Sequence, residues 1–195
     1  MLVVSLYSTT IFAKSIVVLG DSLSAAYKID IKKGWVALLQ QKLNQENKTY
    51  TIFNESISGD TSAGGLARID KALAQHKPEL VLLELGANDG LQGLSPKIMK
   101  SNLAKIITRS QQAGAKVLLL GMRIPPNYGK RYVDMFYNVY PDLAKEMNIS
   151  LVPFILKDVA LVKEMMISDG LHPNEKAQPI IAKKIWPYIK SVLEL

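Results

Sequence analysis

Ile16-Val17-Val18-Leu19-Gly20-Asp21-Ser22-Leu23-Ser24 joins an unbroken apolar run to a Gly-Asp-Ser turn. A short apolar run that stops at a glycine has the pattern of a strand buried on both faces. The turn then presents the Ser22 hydroxyl at the carboxyl edge of a sheet, where chemistry gathers in open α/β folds. A serine in that place is also a good helix cap. Its meaning depends on whether the chain supplies a base, an orienting acid and oxyanion donors.

The alternation of strand and helix continues outward from this turn. Gly34 to Glu46 places Trp35, Leu38, Leu39 and Leu43 at helical spacing. Thr49 to Asn54 is a second strand. Ile57 to Ser62 is a turn, and Thr61 or Ser62 caps a helix running to about His76. Gly64-Gly65 near its start implies close backbone packing. Glu79 to Leu85, apolar but for Glu84, reads as a central parallel strand, with Gly86 to Gly90 as the loop at its end. Ser95-Pro96 opens a helix to about Ala113. Lys116 to Leu120 is the fourth strand, and Met122 to Gly129 a Pro-rich loop. Lys130 to Met147 is helical, with a kink or break expected at Pro141. Ser150 to Pro153 is a short fifth strand. Irregular chain leads to Asp169, and Pro173 starts a last helix, kinked at Pro179, that ends near Leu193. This order implies a three-layer α/β/α sandwich on a five-stranded parallel sheet, flavodoxin-like in strand order. The loops bearing Ser22, Gly59 and Asn88 then meet at one sheet edge.

Composition bounds the function. The 195 residues suit one domain with a sizeable core. With no cysteine, disulfides, thiolate zinc sites and a thiol nucleophile are excluded. The net charge of +7 comes from dispersed lysines and arginines and reads as a solvated basic surface. No nucleic-acid motif is present. Contact with a membrane or lipid is expected to be peripheral at most. Met1 to Ala13 is uncharged and partly apolar, too short and too polar to span a bilayer. It reads as the remnant of a secretory signal and implies a periplasmic or secreted protein. The domain proper is expected over residues 14–195.

Four blocks, in order, resemble those of the SGNH, or GDSL, hydrolases: Gly20-Asp21-Ser22-Leu23-Ser24, Ser58-Gly59-Asp60, Gly86-Ala87-Asn88-Asp89 and Asp169-Gly170-Leu171-His172-Pro173. Ile57 to Ser62, Asn127-Tyr128-Gly129 and His172-Pro173-Asn174 are similar to its bacterial periplasmic branch of acyl-CoA thioesterases, lysophospholipases and arylesterases. Ala87 stands where that branch often has Gly. The resemblance implies an SGNH fold and hydrolysis of small acyl esters and thioesters through an acyl-enzyme, without a cofactor.

The residues support that chemistry by themselves. A serine hydroxyl needs a base, and the chain has only His76 and His172. His76, before Lys77-Pro78, reads as a solvated residue at a helix end. His172 lies three residues after Asp169, so the carboxylate can orient one imidazole nitrogen while the other faces Ser22. Read without Ser22, the same four residues make a turn and a helix cap. The Ser22 and Gly59 N–H groups and the Asn88 amide are the oxyanion donors, although Asn88-Asp89-Gly90 is also an ordinary turn. Asp21, Asp60 and Asp89 read as ties between loops. Neither histidine has a second ligand at zinc spacing, so no metal is expected. Gly90 to Ser95 must border the site. Its glycines make it mobile and its leucines give it an apolar surface. By the residues alone it is equally a plain connection into the next helix, and the resemblance to the thioesterase branch implies that Leu91 and Leu94 border the acyl chain. Two other readings stay open: a carbohydrate O-deacetylase or short-chain arylesterase of the same family, and a nucleotide- or flavin-binding module of the same fold. A monomer is expected.

Overall fold

The computed structural model describes residues 14–195. The leader expected over residues 1–13 lies outside the described residues. β1 (Lys14–Gly20) lies between β2 (Tyr50–Asn54) and β3 (Leu80–Glu84). β4 (Lys116–Leu120) and β5 (Ser150–Val152) extend the sheet beyond β3. All pairings are parallel, in the order β2-β1-β3-β4-β5. This is the expected flavodoxin-like sheet. Helices α1 (Trp35–Gln45) and α6 (Gln178–Leu193) pack together on one face. Helices α2 (Ser62–His76), α4 (Pro96–Gln112) and α5 (Lys130–Glu146) line up on the other.

Burial on two sides explains the unbroken apolar strands. Ile16, Val17, Val18 and Leu19 of β1 and Leu80, Val81, Leu82 and Leu83 of β3 are all 0% exposed. Each such side chain stabilises the fold by up to about 1.5–3 kcal/mol, which no solvent-facing position could do. The helices supply the matching stripes. Trp35, Val36, Leu39 and Leu43 are the buried residues of α1. α2 starts at Thr61, whose hydroxyl accepts from Gly64 N–H, and ends at Lys77 in the left-handed conformation. Pro96 occupies the first turn of α4.

Three local expectations are corrected. Pro141 neither kinks α5 to a stop nor breaks it, and the helix runs through to Glu146. Phe136, Val139, Tyr140 and Leu143 are buried on both sides of the proline, and that packing outweighs one lost hydrogen bond. The last helix begins at Gln178 rather than Pro173, after a 3-10 turn at Glu175–Ala177 capped by Asn174. Pro179 therefore sits in the first turn, where a missing N–H costs nothing, and Pro187 is the proline inside the helix. Finally, the loop after β3 is a helical turn, α3 (Ala87–Leu91), entered through Gly86 at φ +116°.

The topology sets the site. From β1 the chain crosses to β2 on one side, and from β2 it returns to β3 on the other. The loops after β1 and β3 diverge and leave a crevice at the carboxyl edge. The close packing expected of Gly65 is present: a Cβ there would stand 2.2 Å from Leu85 Cδ1, just past the end of β3. Gly65→Ala should therefore cost about 1–3 kcal/mol through overpacking. Urea unfolding should show a lower midpoint with an unchanged slope.

Candidate active site

Ser22 sits on a helical turn directly after β1, closed by Ala25 N–H to Asp21 C=O and Tyr27 N–H to Ser22 C=O. The turn is held from below. Trp35 Nε1–H donates to Leu23 C=O at 3.1 Å, and Asn54 Nδ2 donates to Ser24 C=O at 2.8 Å. Ser22 Oγ lies 2.9 Å from His172 Nε2. His172 Nδ1 lies 2.8 Å from Asp169 Oδ2. With Asp169 ionised, Nδ1 carries the proton and Nε2 is left as the acceptor for the Ser22 hydroxyl. Burial works against the Asp169 charge. The N–H groups of Leu171 and His172 and the imidazole outweigh it, and hold the carboxyl below its ordinary range.

The loop carrying this pair is braced at its base. Ile167 N–H donates to His172 C=O, Asn174 N–H to Met165 C=O, and the Asn174 amide to Glu164 C=O. Gly170, at φ +67°, makes the turn between Asp169 and His172. Tyr27 lies against the imidazole, with ring centroids 4.6 Å apart.

Asn88 projects from α3. Its Nδ2 donates to Asp60 C=O at 2.8 Å and to Asp21 Oδ2 at 3.1 Å. Both amide hydrogens are engaged, so an oxyanion must share one or take it over. Gly59 holds φ +83°, which only glycine adopts freely, and is exposed next to Asp60. The N–H groups of Ser22 and Gly59 reach no backbone acceptor among the described residues. A cavity of about 80 Å³ opens beside Ser22, Asn88 and His172, walled by Leu23, Leu91, Ile124 and Leu156. Gly59 borders this group through Asp60 but is not on the cavity wall. A larger open groove, about 470 Å³, lies at the opposite sheet edge, near the starts of β4 and β5. None of the chemistry-bearing residues reaches it.

Leu91 and Leu94 part company. Leu91 lines the cavity, whereas Leu94 is exposed and outside it. Gly90 to Ser95, expected to be mobile, makes several contacts with the rest of the fold. Gly90 is buried against Phe136 and Ile124, where a Cβ would come within 2.6 Å of both. The Tyr128 hydroxyl donates to Leu91 C=O and the Tyr132 hydroxyl to Leu94 C=O, each at 2.7 Å. His76 is not solvated: its side chain is 7% exposed, stacks on Phe53 and lies 2.6 Å from Glu55 Oε1. Its imidazole is engaged by Glu55 and Phe53 and its backbone C=O accepts from the Ser15 hydroxyl, so it has no part in the Ser22 site.

Sequence reasoning missed Arg68. From α2 it donates to Gly20 C=O (3.1 Å), Glu55 C=O and the Asp60 carboxylate (2.8 Å). It thereby clamps the chain before Ser22 to the chain around Gly59. No local pattern marks an arginine that ties a strand end to a distant loop. Arg123, Leu156 and Leu171 on the cavity wall were missed for the same reason. Asp89, as expected, ties loops: its carboxylate accepts from Ser62 N–H and Ser62 Oγ–H. Asp21, 1% exposed, accepts from Leu23 N–H, and burial pushes its carboxyl up to about 6.

Known proteins resemble the chain in sequence and in overall structure. The model of the GDSL-like lipase/acylhydrolase family matches residues 18–179. Esterase TesA of Pseudomonas aeruginosa is 50% identical over 181 residues, covering 93% of this chain and 90% of that protein. Thioesterase 1/protease 1/lysophospholipase L1 of Escherichia coli is 46% identical over 170 residues, covering 87% and 80%. The crystal structure of the psychrotrophic esterase EstA from Pseudoalteromonas sp., inhibited by monoethylphosphonate, superposes with a TM-score of 0.89 at 44% identity. That alignment covers 93% of this chain and 100% of the other.

Arg68→Ala should leave Glu55 C=O and the Asp60 carboxylate without that donor, while Gly20 C=O keeps Ile57 N–H, and cost about 2 kcal/mol. Arg68→Lys should not restore it, because an ammonium lacks the planar fork that reaches all three. Native-state hydrogen exchange checks the mechanism: amides from Ile57 to Ser62 should exchange faster in Arg68→Ala, and those of β1 should not.

Proposed function

The chain belongs to the GDSL-like lipase/acylhydrolase family, and from that membership we infer that Ser22, His172 and Asp169 hydrolyse acyl esters and thioesters through an acyl-enzyme. The observation that carries the reading is the continuous line Asp169 Oδ2, His172 Nδ1, His172 Nε2, Ser22 Oγ, with links of 2.8 and 2.9 Å.

The steps follow from that line. Ser22 Oγ attacks the acyl carbon while Nε2 takes its proton. Asp169 keeps the tautomer and stabilises the imidazolium. The carbonyl oxygen, now negative, receives the N–H groups of Ser22 and Gly59 and the Asn88 amide. When the adduct collapses, the imidazolium returns its proton to the departing alcohol or thiol. Water then repeats the sequence on the acyl-Ser22 ester. Fluorophosphonate labelling should modify the wild type and not Ser22→Ala. Ser22→Ala and His172→Ala should each lower kcat by about 10³-fold or more, with folding intact by circular dichroism. Wild-type turnover in either variant would overturn the reading.

The apolar wall of the cavity supports acyl chains over polar acyl groups. All three reacting residues come from one chain, so a monomer suffices. The uncharged stretch Met1–Ala13 supports a periplasmic or secreted location. No helix among the described residues is long and apolar enough to cross a membrane. A buried methylene contributes up to about 0.8 kcal/mol, or roughly fourfold in kcat/KM when expressed in the transition state. kcat/KM should therefore climb along a p-nitrophenyl ester series until the cavity is full. Leu91→Ala should flatten the climb, and Leu94→Ala should leave it as in the wild type. A series led by acetyl and indifferent to Leu91→Ala would favour a deacetylase instead.

A further inference from the structure

Glu84 is the last residue of β3, paired in register with Gly20 of β1, and its side chain is 0% exposed. A carboxylate with no access to water is costly unless it is paired with a cation or fully hydrogen-bonded. Glu84 is neither. Its Oε2 accepts from Asp21 N–H (3.3 Å) and from the Ser24 hydroxyl (2.7 Å). Its Oε1 is buried and meets no donor among the described residues. The polar groups facing it are Asp21 and Ser24 from the turn, with Tyr140 of α5 close by, and none of them is a cation. The Tyr140 hydroxyl is not available, since it donates to Leu85 C=O at 3.1 Å. Asp89, the next acid on this side, is held by Ser62.

What does face Glu84 is a second buried carboxyl, Asp21, within hydrogen-bonding reach. Two carboxylates there would repel each other. One carboxylic acid and one carboxylate would bond. The Asp21 oxygens already accept from Leu23 N–H and the Asn88 amide, and the nearby His172 favours its charge. Asp21 is thus the natural anion of the pair and Glu84 the natural acid.

We propose that Glu84 is a neutral carboxylic acid that positions the Ser22 turn: its hydroxyl donates to the Asp21 carboxylate while its carbonyl oxygen receives Asp21 N–H and Ser24 O–H. The single proton gives the orphaned oxygen a partner and removes the repulsion. It fixes Asp21 beneath the nucleophile, and through Asp21 it fixes the Asn88 amide. Glu84 does not touch substrate. Its effect on turnover rests on the roles of Ser22 and Asn88 argued above, whereas its protonation does not. Burial, and then the Asp21 charge, push the Glu84 carboxyl well above its ordinary range, in line with this arrangement.

The test separates the two dependences. Glutamine mimics the acid, not the anion. An acid kept protonated only in the folded state loses stability as pH rises above its unfolded value, because the unfolded chain alone releases the proton. Glu84→Gln is free of that loss. Its Tm should exceed the wild type's by about 5 °C at pH 8, with the gap closing towards pH 4. An ionised, favourably placed Glu84 would give the opposite sign at pH 8, and that result would overturn the proposal. Infrared spectra of the folded wild type at pH 8 should contain a protonated-carboxyl carbonyl band that is missing from Glu84→Gln. Absence of the band overturns the proposal even if every variant unfolds. Turnover gives the positioning role: Glu84→Gln should keep kcat within about threefold, and Glu84→Leu, which removes both bonds, should lose about tenfold or more with little change in KM. Full activity in Glu84→Leu would remove the positioning role, and the band and the Tm shift would still report the proton.

Discussion

The Ser22 turn hangs from the carboxyl end of β1, and β1 is held in register by β3 on one side and β2 on the other. The pairing Gly20↔Glu84 brings the nucleophile turn level with the start of α3, which carries Asn88. Ile57 N–H donates to Gly20 C=O and so brings in the Gly59 loop. A one-residue slip of β1 would reverse the faces of all its side chains. With Ile16, Val17, Val18 and Leu19 wholly buried, that slip is forbidden by packing alone. The geometry of the reaction is thus set by the hydrophobic burial of strands that carry none of it.

Around that frame, polar groups below the surface do the fine placement. Trp35 holds Leu23 C=O, Arg68 holds Gly20 C=O and Asp60, and Asp89 holds the start of α2. These bonds are shielded, so they keep most of their strength. The ion pairs at the surface, such as Lys33–Glu175 or Lys116–Glu194, are well exposed and contribute little. The basic surface therefore matters for what approaches the protein rather than for how it folds.

Periodicity and turn chemistry were legible from the residues. Apolar runs ending in glycine marked the strands, and alternation with amphipathic helices marked the parallel sheet. Asp169 and His172 were readable because their partnership is local, three residues within one turn. Their contact with Ser22 was readable only once the strand order was assumed. The prolines show the limit of local rules: Pro141 is carried through a helix by the burial of Phe136, Val139, Tyr140 and Leu143, which no proline rule contains. His76 misled for a related reason. A histidine before Lys-Pro reads as solvent-facing, yet Phe53 and Glu55 from the neighbouring strand and loop enclose it.

The sequence by itself determined the fold class and the strand order and pointed to the acid–base–nucleophile set we propose, because each depends on periodicity or on a short motif at a strand end. Tertiary structure alone decided which residues support that set. Arg68 ties the last residue of β1 to the loop after β2, two segments that are far apart along the chain. Leu91 faces the cavity while Leu94, three residues on, faces water, because a turn of helix and two tyrosine hydroxyls fix the path between them. Glu84 was visible as an odd charge in an apolar strand. Its partner Asp21 lies 63 positions away, and a contact of that separation exists only when both strand ends are brought into register.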